Sequence, residues 1–194
     1  MGGRLNPVEY LVHTGETSLQ LPAGKAYGYV MAGNGVFKIA HTAEFEACIP
    51  VAPGHIAGLG NLTPYLWMEE LLDVAILRAV LMDARNAARH APREAMYHVV
   101  KENGKAKVYA PQQRATAGGV WYEGGSASNV LLDIHSHCEM GAFFSSVDNR
   151  DEQGLRLYGV IGKIFTRPEV RLRVGIYGDF WPVEIEDVFG GMGR

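Results

Sequence analysis

The segment DIHSHCEMGAFFSSVD, residues 133–148, sets His135 and His137 two residues apart, then Ser145, then Asp148 three residues beyond the serine. In an extended chain, residues i and i+2 face the same way, so both imidazoles point to one side. A strand end built like this offers two nitrogen ligands at roughly 2 Å from a zinc ion. The seven residues between His137 and Ser145 give the chain room to turn back. Ser145-Ser146-Val147-Asp148 is an S-x-x-D helix-start pattern, which fixes Asp148 near a helix N-terminus. Two neutral imidazoles and one carboxylate leave the fourth zinc position open to water, the arrangement of a catalytic site and not a structural one. A competing reading makes the histidines solvated strand residues and the serine an ordinary cap. Each half of the pattern alone is common; both halves at this spacing, straight after an apolar strand, are far more demanding.

The elements that must position these residues can be read from periodicity. KAYGYVMAGNGVFKIA predicts two strands about Gly33-Asn34-Gly35, because Asn-Gly tolerates the positive φ of a tight hairpin, and EFEACIPVA a third strand. The Gly- and Pro-rich run PGHIAGLGNLTP then reads as a linker. Thr63 and Pro64 suit a helix start, and Leu72, Ile76, Val80, Ala84 and Ala87 form one apolar stripe, predicting a helix from Tyr65 to about His90, ended by Pro92. Arg78, Asp83, Arg85 and Arg89 are its charged complement. EAMYHVV and AKVYA form a second hairpin about Asn103-Gly104, and a short strand is expected at Val120–Tyr122. NVLLDIHSH is a strand apolar enough for burial on both faces. LRLYGVIGKIF, EVRLRVGIYG and FWPVEIEDVF read as further strands, with Gly178-Asp179 turning between the last two. The expected organisation is a mixed α/β layer at 63–194 behind a small β-rich N-terminal unit and linker at 1–62.

Composition narrows the function classes. The chain has 194 residues, 47% of them apolar and 20% charged, enough for a packed core. The net charge of −3 gives no basic surplus to attract nucleic acid or an anionic membrane. No apolar run has the length of a membrane span or of a signal peptide; even LLDVAILRAVLM is broken by Asp73 and Arg78. Cys48 and Cys138 form no CxxC pair, so a reducing, cytoplasmic setting is the expectation, and any metal site must rest on His and carboxylates.

HSHCEMGAFFSSVD matches H-[ST]-H-x7-S-x-x-D and so resembles the JAMM (JAB1/MPN/Mov34) metalloproteases, which remove ubiquitin-like modifiers and act on related prokaryotic proteins. The resemblance covers about Tyr65 to the C-terminus. Within that family, the β-rich N-terminal unit and SSVDNRDEQGLRLYGVIGKI resemble the branch found in bacterial PRTRC cassettes, which also encode ThiF-related activating-enzyme-like and ParB-related proteins. The fold implied is a JAMM/MPN-type mixed β-sheet flanked by helices, cytidine-deaminase-like. The resemblance implies that His135, His137 and Asp148 hold Zn²⁺. It also implies a glutamate on the strand after the first long helix, a place filled here by Glu94, two residues after Pro92. Glu94 would be the general base for the water that the metal activates, and Ser145 would donate a hydrogen bond to the developing oxyanion. The implied activity is hydrolysis of an amide or isopeptide bond at the tail of a ubiquitin-like or sulfur-carrier-like protein, with a ThiF-like activating enzyme as a cassette partner.

One departure stands out: Cys138 follows the second histidine where many members of that family have proline. Its thiol is either a small, partly buried side chain or a group able to reach the metal. Glu139, Glu102 and Glu123 are weaker alternatives to Glu94 as base, and His98, which shares a strand face with Glu94 and could approach the cleft, reads as an exposed strand histidine. His13, His41 and His55 lack ligand-like spacing, Trp121, Tyr158 and Trp181 read as core or sheet aromatics, and the GGMGR tail as a flexible end. Two rival functions remain open: a non-catalytic MPN-type scaffold, and a zinc amidase acting on a small conjugate. A zinc deaminase is disfavoured, since its Cys-x-x-Cys signature is absent.

Overall fold

The computed structural model describes residues 6–15, 19–90, 93–111, 113–116, 119–122 and 129–191, the side chains of 113–116 and 119–122 excepted. Pro92, Glu123, the Trp121 side chain and the last residues of the GGMGR tail lie outside that description. The fold is mixed α/β and strand-rich. Its first sheet is five-stranded, with β1 (Val8–Val12), β2 (Tyr27–Ala32), β3 (Gly35–His41), β4 (Phe45–Pro53) and β5 (Tyr65–Met68) in chain order. β1 pairs parallel with β2, and the remaining neighbours are antiparallel.

The turn from β2 to β3 departs from the expected Asn-Gly geometry. Gly33 and Asn34 form the turn, and Asn34 keeps an ordinary negative φ while its amide grips Leu62. The side chain donates to the Leu62 carbonyl at 2.9 Å and accepts from its N–H at 2.9 Å. A Cβ on Gly33 would lie 2.5 Å from the Leu59 carbonyl oxygen, so only glycine lets the 53–64 segment pack this close. The linker is thus docked on the sheet.

β6 (Leu72–Asp73) precedes α1 (Ala75–Ala87), the one long helix among the described residues. The helix starts ten residues later than the periodicity predicted. Tyr65–Met68 instead pairs with β4, where an aromatic-rich segment finds a ladder to join and the Tyr65 hydroxyl donates to Glu46. Leu72 sits before the helix, Asp73 Oδ1 accepts from the Ala75 N–H at 2.8 Å, and Ile76, Leu77, Val80 and Ala84 form the buried stripe.

β7 (Met96–Glu102) and β8 (Lys105–Tyr109) form the predicted hairpin, with Asn103 and Gly104 at φ 51° and 74°. β9 (Gln113–Thr116) and β10 (Gly119–Tyr122) make a separate two-stranded pair. β11 (Val130–Ser136), α2 (Ser146–Asp151), β12 (Leu155–Gly162), β13 (Glu169–Ile176) and β14 (Asp179–Val183) follow. The turn before β14 is Tyr177-Gly178, at φ 47° and 90°, and the Ile185–Val188 part of the last predicted strand coils instead into α3 (Ile185–Val188), capped by Glu184. β15 (Phe189–Gly190) closes on β6.

The second sheet has the order β14-β13-β12-β11-β7-β8, with β11 parallel to β12 and antiparallel to β7. Tyr97, Val99, Leu132, Ile134, Leu157, Ile161, Leu172 and Val174 join Ile76, Leu77, Val80 and Ala84 of α1 and Ala40, Phe45, Ala47 and Ile49 of the first sheet in one core. Because side chains alternate along a strand, that core claims one face of the sheet. The opposite face carries His98, Asp133, His135, Arg156 and Arg173.

Candidate metal centre

β11 is buried along its whole length, and the two histidines come at its C-terminal end. His135 sits in register with Met96 on one side and Val160 on the other, and the His137 N–H extends the ladder to the Ile161 carbonyl at 2.9 Å. Both rings are deeply buried, each residue only 4% exposed. Their Nε2 atoms lie 3.1 Å apart. His137 Nδ1 is 3.2 Å from the Gly141 carbonyl, a partner that requires the proton on Nδ1 and leaves the Nε2 lone pair directed into the centre. Phe143 packs edge-on against the same ring, 4.6 Å between centroids.

The third donor comes from α2. Ser145 caps this helix: its Oγ accepts from the Asp148 N–H at 3.2 Å, while its own N–H donates to Asp148 Oδ2. This capping box takes one carboxylate oxygen and turns the other toward the histidines, with Oδ1 3.7 Å from His135 Nε2. One ligand atom from each of His135, His137 and Asp148 lies within 4.8 Å of the others, and no other such group occurs among the described residues. His13, His41 and His55 therefore join none.

The electrostatics suit a cation. Burial pushes the His135 imidazole down to about 4, against the pull of Asp148, so the ring is neutral at physiological pH. Two imidazole nitrogens facing each other beside a carboxylate form a donor set on which a cation can sit. The donor set thus fits a metal ion held by three protein ligands.

Glu94 precedes β7 and is only 8% exposed. Burial, and then the negative charge of Asp148, push its carboxyl up to about 7. The structure therefore gathers Glu94, Ser145 and the three ligand residues in one region. Glu139 is exposed, and Glu102 lies at the far end of the β7–β8 hairpin, bound by Lys107 at 2.7 Å and Tyr109 at 3.0 Å. The Cys138 thiol turns away from the metal group and donates to the Arg93 carbonyl at 2.8 Å.

Several supporting residues escaped the sequence reading. Asp133, two residues before His135 on the same face, receives both Arg156 and Nδ1 of His98, which is mostly buried by this pairing and not the exposed strand residue expected, tying β7, β11 and β12 together. Arg173 on β13 fixes α2: its guanidinium donates to Glu152 and, at 2.6 Å, to Asn149 Oδ1. That guanidinium is clamped between the rings of Phe144 and Phe180, 3.8 Å from each centroid. Asp133 had a signal, its i−2 spacing from His135; Arg173 had none, because its partners lie on another element. No protein-family model and no curated protein matches this chain.

Proposed function

We propose that this chain is a zinc-dependent peptidase or isopeptidase of the JAMM type, hydrolysing an amide or isopeptide bond at the tail of a ubiquitin-like or sulfur-carrier-like protein. The observation that carries the reading is the convergence of His135, His137 and Asp148 within 4.8 Å, with a buried Glu94 carboxyl near enough to feel the Asp148 charge. Two imidazoles and one carboxylate are a zinc ligand set that keeps a position open. A bound zinc ion would supply Lewis acidity toward the scissile carbonyl and lower the pKa of water.

The chain's own residues supply the rest. Glu94, whose carboxyl is pushed up to about 7, takes the proton of the attacking water and returns it to the departing amine. Ser145 Oγ already accepts from the Asp148 N–H, so its hydroxyl hydrogen is the one to offer the oxyanion. The Gly141 carbonyl holds the His137 tautomer, and the capping box holds Asp148. No covalent bond to the protein forms. Exposed Met140, Phe143 and Val147 flank the centre and give an extended substrate tail apolar side chains to lie on. Cys48 and Cys138 are unpaired and buried, which fits the cytoplasm, and no described helix is long and apolar enough to cross a membrane. A ThiF-like activating enzyme acting on the same modifier is the natural partner in this scheme.

The test pairs zinc content with cleavage of modifier fusions, comparing wild type and Glu94→Gln. The expected result is one zinc per chain in both, with turnover reduced by about 10² to 10⁴ in the variant. Wild type without zinc affinity would return the chain to the scaffold reading. Equal turnover in both proteins would remove Glu94 from the mechanism.

A further inference from the structure

Residues 135–138 alternate in what they hold. His135 and His137 turn to the metal group, while Ser136 and Cys138 turn to the chain that carries Glu94. The Ser136 N–H donates to the Ala95 carbonyl at 2.9 Å, and its hydroxyl accepts from the Ala95 N–H at 3.1 Å. The Cys138 thiol donates to the Arg93 carbonyl at 2.8 Å. Glu94 therefore sits between two peptide units, each fastened to the same four residues that present both histidines.

The backbone at Cys138 sharpens the point. Its φ is 48°, a left-handed conformation that side-chain-bearing residues adopt at a cost and that proline cannot adopt. The conformation is held from the turn that follows β12, where the Ile164 N–H donates to the Cys138 carbonyl at 2.8 Å. Glycine would take this backbone without strain. What cysteine adds at this position is a buried donor aimed at Arg93. Arg93 is in turn tied to the end of α1, its Nε donating to the Ala87 carbonyl at 2.7 Å.

We propose that Cys138 is a positioning residue for Glu94: its thiol fixes the Arg93–Glu94 peptide relative to His135 and His137, so that ligands and base keep one register. The catalytic consequence rests on the role given to Glu94 above; the clamp itself does not. A hydrogen bond lost beside Glu94 loosens its backbone without touching any ligand, so metal affinity stays and the geometry of proton transfer suffers.

Three variants separate the thiol's donor from the strain at this position. Cys138→Ala removes the donor and keeps the strain, Cys138→Gly removes both, and Cys138→Ser keeps a donor. Amide exchange of Ala95, read by NMR on the full chain with and without zinc, is expected to rise about 10-fold in the Ala and Gly variants and stay near wild type in Ser. With the modifier fusion as substrate, kcat is expected to fall about 10- to 100-fold in Ala and Gly, with KM and zinc affinity within about twofold and kcat restored by Ser. Wild-type exchange at Ala95 in both the Ala and Gly variants, or full kcat in the Gly variant, overturns the proposal. A chain that takes up no zinc and cleaves nothing would sink the peptidase reading, while the exchange measurement would still decide whether Cys138 fastens this peptide.

Discussion

At the residue scale, Glu94 is held where a negative charge is costly. Its carboxyl lies in a nearly closed site beside Asp148, and both burial and that neighbour favour the neutral form, raising its pKa from the ordinary 4.5 to about 7. An acid whose folded-state pKa is raised favours the folded chain fully below 4.5 and loses that contribution as pH rises through about 7. Metal-free wild type should therefore lose about 1–3 kcal/mol relative to Glu94→Gln between pH 4.5 and 7.5, read from urea unfolding of the two proteins in chelator. Parallel curves across that range would mean that the carboxyl is solvated. Much of the centre was legible in sequence, because H-x-H and S-x-x-D impose local geometry through strand alternation and the capping box. The turn of Cys138 toward Arg93 was not, because its φ of 48° goes with a hydrogen bond from Ile164, just past β12 and distant in the chain.

At the scale of elements, the centre depends on a loop pressed against a strand. Residues 138–142 carry the carbonyl that orients His137, and they lie on Gly162 at the end of β12. The Lys163 N–H donates to the Met140 carbonyl at 2.7 Å and the Ala142 N–H to Glu169 Oε2 at 3.3 Å. A Cβ at Gly162 would stand 2.3 Å from both Ala142 N and the Gly141 carbonyl carbon, all backbone atoms that cannot swing aside. Gly162→Ala is expected to destabilise the chain by about 1–3 kcal/mol and to weaken zinc binding at least about tenfold, measured by urea unfolding and a competitive zinc titration. Unchanged zinc affinity would show that the Gly141 carbonyl does not set the ring. Strands and hairpins were readable because β-branched runs and Asn-Gly turns act locally. The start of α1 was not: Thr63-Pro64 is a sound helix start in isolation, and the pairing of Tyr65–Met68 with β4 overrode it. Nor could local pattern separate α3 from a strand, since the Glu184 capping box sits within an alternating apolar run.

At the scale of the molecule, two sheets share one core, and a buried ammonium joins them at its margin. Lys38, on β3 of the first sheet, is only 2% exposed. Its Nζ donates to the carbonyls of Ile176 at 2.9 Å and Tyr177 at 3.2 Å and to Asp179 Oδ2 at 2.8 Å, all on the β13–β14 hairpin. It also lies over the rings of Tyr27 and Tyr29, 4.4 and 5.3 Å from their centroids. All three protons are used, so the desolvated charge is compensated, and the hairpin that supports Arg173 is fastened to the first sheet. The shared core of Phe45, Ile49, Val174 and Ile176 makes the two sheets one cooperative unit, and Lys38 fixes how they meet. Lys38→Met keeps the unbranched apolar stem up to the last carbon but leaves two carbonyls and a carboxylate without their donor. It is expected to cost about 1–3 kcal/mol in urea unfolding while wild type unfolds in a single transition. Because Arg173 anchors α2 from β13, the same substitution should weaken zinc binding although Lys38 contacts no ligand. A variant that unfolds at the wild-type midpoint, or a wild type that unfolds in two steps, would mean that the sheets are held together by the apolar core alone or are separable.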